Sequence, residues 1–250
     1  MQVKSTGRWY IISRRKYTKE EYVIFFRPKL ILDYNKKIYD HVPGPCQKID
    51  GIRFSVTDVE LLPDGHAIIS SGYHKTLIAD AKKKRKGRLY AYDFSSVQNL
   101  NKTLKQAAVE IKLIFDATTT ASNFNGQGRF NPVALSSFVS KNVINLYVIN
   151  SIADYDSVEC FIYDKNAKTA THMKTIKDGN IYSAYDIQAY GPDKFFLTNQ
   201  FYFRSRFLNL VETYLLFNLG NLIHFDGKKS TIVDSRLTTP RGLAIDKNET

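Results

Sequence analysis

Apolar and polar residues alternate along most of this chain, and the alternation comes in units. Four segments share one pattern: a short alternating strand, a polar turn and, in three of the four, a more apolar second strand. The first runs Val56–Leu62, turns at Pro63-Asp-Gly and resumes at Ala67–Ser71. The second runs Pro132–Phe138, turns through 140–142 and resumes at Asn145–Asn150. The third runs Tyr185–Tyr190, turns at Gly191-Pro-Asp-Lys and resumes at Phe195–Asn199. The fourth starts Arg241-Gly-Leu-Ala-Ile and reaches its turn at Asp246-Lys-Asn. Between them lie third strands ending in aspartate, Arg88–Asp93, Val158–Asp164 and Asn221–Asp226, with weaker fourth strands at Ala170–Ile176 and Ser230–Asp234.

Four meandering strands per unit, radially repeated, describe a β-propeller blade. The innermost strands begin near Thr57, Val133, Tyr185 and Arg241, at spacings of 76, 52 and 56 residues. These exceed the roughly 40–50 residues of common propeller repeats. The expected fold is therefore all-β. Residues 46–250 form an incomplete propeller of about three blades plus the start of a fourth, and residues 1–45 an N-terminal extension, partly helical or irregular. Propellers close at about four to eight blades, so closing the ring calls for missing blades or another chain.

Composition agrees with a globular chain: 250 residues, 43% hydrophobic and 24% charged, values that argue against wholesale disorder. Sixteen Tyr and sixteen Phe against one Trp suit pleated sheet surfaces better than a helical bundle. The two Cys exclude a disulfide-dense scaffold. The five histidines, His41, His66, His74, His172 and His224, form no metal-spaced pair. Apolar runs at 9–12, 22–26 and 30–32 are each broken by charge, so none reads as the core of a signal peptide. No run of 18 apolar residues predicts a transmembrane helix. Of the +12 net charge, half comes from Lys82-Lys-Lys-Arg-Lys-Gly-Arg, between the second and third strands of the first unit. It reads as a solvated basic loop. Without an aromatic platform beside it, nucleic acid is not expected, and an anionic membrane surface is the more economical partner.

At Glu60-Leu-Leu-Pro-Asp-Gly-His-Ala-Ile-Ile-Ser-Ser-Gly and Asp186-Ile-Gln-Ala-Tyr-Gly-Pro-Asp-Lys-Phe-Phe-Leu-Thr-Asn the chain resembles the serum paraoxonase/arylesterase family. Phe130-Asn-Pro, Leu146-Tyr-Val-Ile-Asn and His172-Met-Lys-Thr-Ile extend the resemblance from about Cys46 to the C-terminus. It implies a six-bladed propeller with two axial calcium ions, hydrolysing lactones and aryl esters, of which the last two to three blades are not in this chain. The hydrophobic anchor with which family members usually begin has no counterpart here. It also implies where the chemistry would sit. Catalytic-calcium ligands would fall at Thr57, Tyr185 and Arg241, and the two catalytic histidines at Val133 and Ser151; all five differ from the family's residues. Calcium takes six to eight oxygen ligands, and Arg241 would instead repel a divalent ion by ~8 kcal/mol at roughly 4 Å and an effective dielectric of about 20. Its guanidinium is expected in the volume of the catalytic ion. By the same resemblance the structural calcium would be held by Asp58, Asp186 and the backbone carbonyl of Leu135, all retained. Cys46 would match a cysteine whose disulfide partner lies near the family's C-terminus, and Cys160 reads as a small buried residue instead. Asn101-Lys-Thr and Asn248-Glu-Thr are glycosylation sequons if the chain is secreted.

The function expected is that of a paraoxonase-like protein without the hydrolytic site: a binding or assembly protein, channel-accessory or chaperone-like. It would act in the secretory pathway, outside the cell or at a membrane, with a membrane protein as partner. The alternative is a calcium-dependent arylesterase or lactonase.

Overall fold

The computed structural model describes residues 2–5, 8–11, 48–53, 55–72, 87–95, 107–115, 130–152 and 155–246. Strands β1 (Gln2–Ser5) and β2 (Arg8–Ile11) pair as an antiparallel hairpin. The remaining strands form three sheets. β3 (Asp58–Leu61), β4 (His66–Ser71), β5 (Arg88–Asp93) and β6 (Val109–Glu110) make the first, in chain order. The second contains β8 (Pro132–Ser140), β9 (Val143–Ser151), β10 (Asp156–Asp164) and β11 (Thr169–Ile176), with β7 (Lys112–Ile114) added in parallel at its outer edge. The third is β12 (Ala184–Gly191), β13 (Lys194–Asn199), β14 (Gly220–Phe225) and β15 (Ser230–Leu237). In each sheet the first strand is innermost. β3 lies beside β8 and β8 beside β12, so these strands line a common axis as the inner strands of three propeller blades. Residues 241–246 run on beside β12 without forming a strand, at the place of a fourth inner strand.

The period-2 pattern places the middle blade in two cores at once. On β9, Leu146 and Val148 pack toward the first blade, with Ile68, Leu89 and Phe130, while Tyr147 and Ile149 pack toward the third, with Ile187, Phe195 and Leu197. β10 divides likewise, Phe161 and Tyr163 one way, Val158 and Cys160 the other. Both faces are covered, hence the near-continuous apolar run Leu146–Ile149. The blades also approach backbone to backbone at Pro132: a Cβ on Gly72 would lie 2.0 Å from its carbonyl oxygen. Cys160 is free and 5% exposed, and burial pushes its thiol up to about 12, which fits a small buried residue.

Two features have no counterpart in the strand pattern. The fourth strand of the first blade is two residues long, and after Ile111 the chain crosses to the second blade as β7. The 200–219 connection carries a helix, α1 (Arg206–Leu215). Its Glu212, 2% exposed, accepts the backbone N–H groups of Tyr202 and Phe203 and folds the entering loop back onto the helix. No helix among the described residues is long and apolar enough to cross a membrane.

Inside the second blade, Glu159 and His172 meet at 3.0 Å with side chains 1% and 0% exposed. Ser157 and Thr175 donate their hydroxyls to the same carboxylate at 2.6 Å each. Burial works to raise the Glu159 pKa, but the hydrogen bonds from His172, Ser157 and Thr175 together hold it below the ordinary carboxylate value. A depressed folded pKa contributes stability above the unfolded value and loses it as pH falls. Glu159→Gln is expected to lower unfolding stability by about 3–5 kcal/mol at neutral pH and to flatten its acid limb below pH 4.5; urea denaturation across that range measures both.

Candidate axial site

An innermost propeller strand is bonded on one edge only, and its other edge faces the axis with unpaired N–H groups. This chain satisfies several of them with side chains from the preceding blade. Asp58 on β3 accepts the amide of Leu135 on β8 at 2.9 Å, and two residues on, Glu60 accepts the amide of Ser137 at 2.7 Å. From β8 to β12, the Ser136 hydroxyl accepts the amide of Ala189 at 3.0 Å. From β12 to the fourth inner segment, Asp186 accepts the amide of Leu243 at 2.6 Å. Each aspartate also accepts the amide of its own successor, Val59 or Ile187, at 2.8 Å.

These contacts gather Asp58, Glu60 and Asp186 near the axis, each partly buried. Burial raises the Glu60 pKa most, opposed by the Ser137 hydroxyl and amide and reinforced by the charges of Asp58 and Asp186. Asp186 is raised by burial, and by Asp58, against the hydrogen bonds of Leu243 and Ile187. The axis therefore holds carboxylates that cost free energy when ionised. In an extended strand the N–H and C=O of one residue leave the same edge. The Leu135 amide meets Asp58, so its carbonyl also leaves β8 on the axial edge. Two carboxylates and a carbonyl are hard oxygen donors, and a carboxylate oxygen accepting one N–H keeps capacity for a second partner. Asp58, Asp186 and Leu135 thus fit a calcium ion in donor type and charge. No group of three or more His, Cys, Asp or Glu suited to a metal occurs among the described residues; the expected set contains only two.

The five other expected positions all fall at one end of the blades. Antiparallel pairing sets Pro132 opposite Asn150, Ser151 opposite Asp156, and Ala184 opposite Asn199. Thr57 donates to the Pro132 carbonyl at 3.0 Å and bonds the Ser70 hydroxyl at 2.8 Å. Val133 is 6% exposed in the apolar core. Ser151 donates its hydroxyl to buried Asp156, which also accepts the amide of Ala184. The Arg241 guanidinium lies 5.5 Å from the centre of the Tyr185 ring. With the Gln200 amide oxygen turned toward it, it donates to that oxygen through Nε at 3.0 Å and Nη2 at 3.3 Å. Thr57 thus joins the first blade to the second, and Arg241 ties the fourth segment to the third. Cys46, Asn101, Asn248 and residues 82–86 of the basic loop lie outside the described residues.

Sequence reasoning did not find Glu60, Ser136 or the Glu159–His172 pair. Glu60 and Ser136 had a signal, since each stands two places beyond the first or second inner strand's aspartate position. The Glu159–His172 pair had none, because its register is set by a bulge between Cys160 and Phe161.

Inner strands of three successive four-stranded blades lining a common axis define an incomplete β-propeller in architecture. The family model described as Arylesterase matches residues 37–250, and the chain belongs to that family. Serum paraoxonase/lactonase 3 of Rattus norvegicus is 28% identical over 213 residues, 84% of this chain and 56% of the relative. Serum paraoxonase/arylesterase 2 of Gallus gallus is 28% identical over 201 residues, 80% of this chain and 52% of the relative. Mechanosensory abnormality protein 6 of Caenorhabditis elegans is 27% identical over 219 residues, 87% of this chain and 55% of the relative. The chain spans about half the length of the relatives it matches.

A raised carboxyl pKa contributes stability at low pH that is lost as pH rises through the folded value. Glu60→Ala leaves the Ser137 amide and hydroxyl without this acceptor and is expected to cost about 1–3 kcal/mol. Glu60→Gln keeps an acceptor, removes the charge and flattens the loss of stability above pH 4.5. Denaturant titrations at acid and neutral pH distinguish the two.

Proposed function

We propose that this chain is a non-catalytic member of the arylesterase family, a binding or assembly protein built on a propeller that keeps one structural calcium site. The observation that carries this reading is the set of contacts at the family's catalytic positions. Thr57 is held between Ser70 and Pro132, Arg241 lies over Tyr185 beside Gln200, and Val133 is in the core. A hydroxyl, a phenol and a guanidinium at the three ligand positions supply neither the carboxylate nor the carbonyl oxygens that calcium needs. The family relation and the sequons favour the secretory pathway, the cell exterior or a membrane surface. A membrane protein is the proposed partner, as for a channel-accessory or chaperone-like factor; the likeness to a protein named for mechanosensory abnormality supports that direction. The second reading, a calcium-dependent arylesterase or lactonase, draws on the names of the serum relatives.

Two measurements test this function. With phenyl acetate and an aliphatic lactone as substrates, turnover is expected at background with and without chelator; chelator-sensitive turnover well above background overturns the non-catalytic reading. Calcium titration calorimetry is expected to find one site, lost in Asp58→Asn and in Asp186→Asn. Binding favours the ionised carboxylates, so it releases protons where Asp186 is raised above its ordinary value, and affinity climbs with pH there. No calcium site would reject the structural-ion part alone.

A further inference from the structure

Helix α1 turns its apolar face away from the protein. A surface helix ordinarily lays its apolar stripe on the core and keeps its charges outside. Here the single acid of the helix, Glu212, is buried and holds the entering loop, with Leu208 and Leu215 half-buried. Phe207, Leu210 and Tyr214, spaced i, i+3, i+7 on one face, are 72%, 62% and 50% exposed. Tyr202 just before the helix, and Phe217 and Leu219 just after it, are exposed as well. Single exposed apolar residues need no explanation, but a stripe of large ones marks an interaction site. Its surroundings narrow the partner. From residue 207 to residue 227 the sequence contains no Lys or Arg, whereas a helix lying on lipid headgroups carries cations along its polar face. An uncharged stripe is matched best by another uncharged stripe.

The stripe is its own complement. Read in either direction it runs aromatic, leucine, aromatic. Two such helices packed antiparallel about a two-fold axis near Leu210 set Phe207 of each copy against Tyr214 of the other, with the two Leu210 side chains between them. The same patch on both subunits is what a two-fold dimer requires, and the aromatic pairs add to the area they bury. The helix has no acidic residue in its first turn and no basic one in its last, so its own side chains offset neither end of its dipole. Antiparallel pairing sets each positive end beside a negative one. We propose that α1 is a self-association site, pairing antiparallel with α1 of a second copy of this chain. The site uses no axial residue and is independent of calcium and of the catalytic question. Six large side chains per copy place the interface at or below the lower end of specific ones, about 1,200 Å² in total, so the dimer is reversible and weak.

The test is sedimentation equilibrium of the full chain over a range of concentrations, with and without added salt. A reversible monomer–dimer equilibrium is expected. Each copy carries a formal charge of +12, so salt screens the repulsion between copies and should tighten the dimer. Leu210→Glu should weaken association tenfold or more and leave the thermal midpoint of the dilute, monomeric protein unchanged. If Leu210→Glu does not fold, Phe207→Ser decides. In a Cys46→Ser background, Leu210→Cys should form a disulfide-linked dimer under mild oxidation, and Val233→Cys, exposed on β15, should not. A chain that stays monomeric at every concentration overturns the proposal, as does a dimer undiminished by Leu210→Glu or Phe207→Ser. A monomer that instead binds phosphatidylcholine or phosphatidylserine vesicles through Phe207 and Leu210 also overturns it, because lipid would then be the occupant.

Discussion

The structure depends on how it satisfies the axial edges of its innermost strands. A blade's first strand has no neighbour in its own sheet on that side, and an unpaired, partly buried N–H costs about as much as a lost hydrogen bond. Asp58, Glu60, Ser136 and Asp186 each supply an acceptor to the next blade. The pattern repeats from first blade to second, second to third, and third to the fourth segment. Because each contact runs from one inner strand to the next, it also fixes their relative height along the axis. The apolar interfaces then form in register: Leu146 and Val148 against one neighbour, Tyr147 and Ile149 against the other.

Three of these four acceptors are carboxyl groups, and that choice links stability to chemistry. A serine does the same work between β8 and β12 without charge. Burial raises the pKa of Glu60 and of Asp186, and the neighbouring Asp58 charge adds to it in both, a cost that a cation would offset. The same groups that hold the blades in register are therefore the ones suited to an axial ion. At one end of the blades, Thr57 and Arg241 also make contacts between blades, through Pro132 on one side and Tyr185 and Gln200 on the other. Both residues thus act as ties between neighbouring inner strands.

Strand order, blade boundaries and the alternating core of the second and third blades were legible in the sequence. They arise from period-2 patterning and from turns such as Pro63-Asp-Gly, which act over a few residues. Asp58 and Asp186 could be singled out only through the resemblance to the paraoxonase/arylesterase family; by pattern alone they read as turn-forming or solvated aspartates. The buried Glu159–His172 pair, the use of Glu60 as an acceptor, and α1 were not legible. A carboxylate in a strand reads as solvent-facing unless its neighbours on the adjacent strands are known, and the helix lies in a connection between strands, where the repeat carries no information.

The length and repeat spacing by themselves determined that this chain makes three blades and begins a fourth, because each blade is a local meander whose hydrophobic period is written in consecutive residues. What stands beside what across blades was decided only by the tertiary structure. The amide of Leu135 finds Asp58 across 77 positions of sequence and that of Leu243 finds Asp186 across 57. No local propensity specifies such pairings; they exist because packed blades bring their inner strands to a common axis.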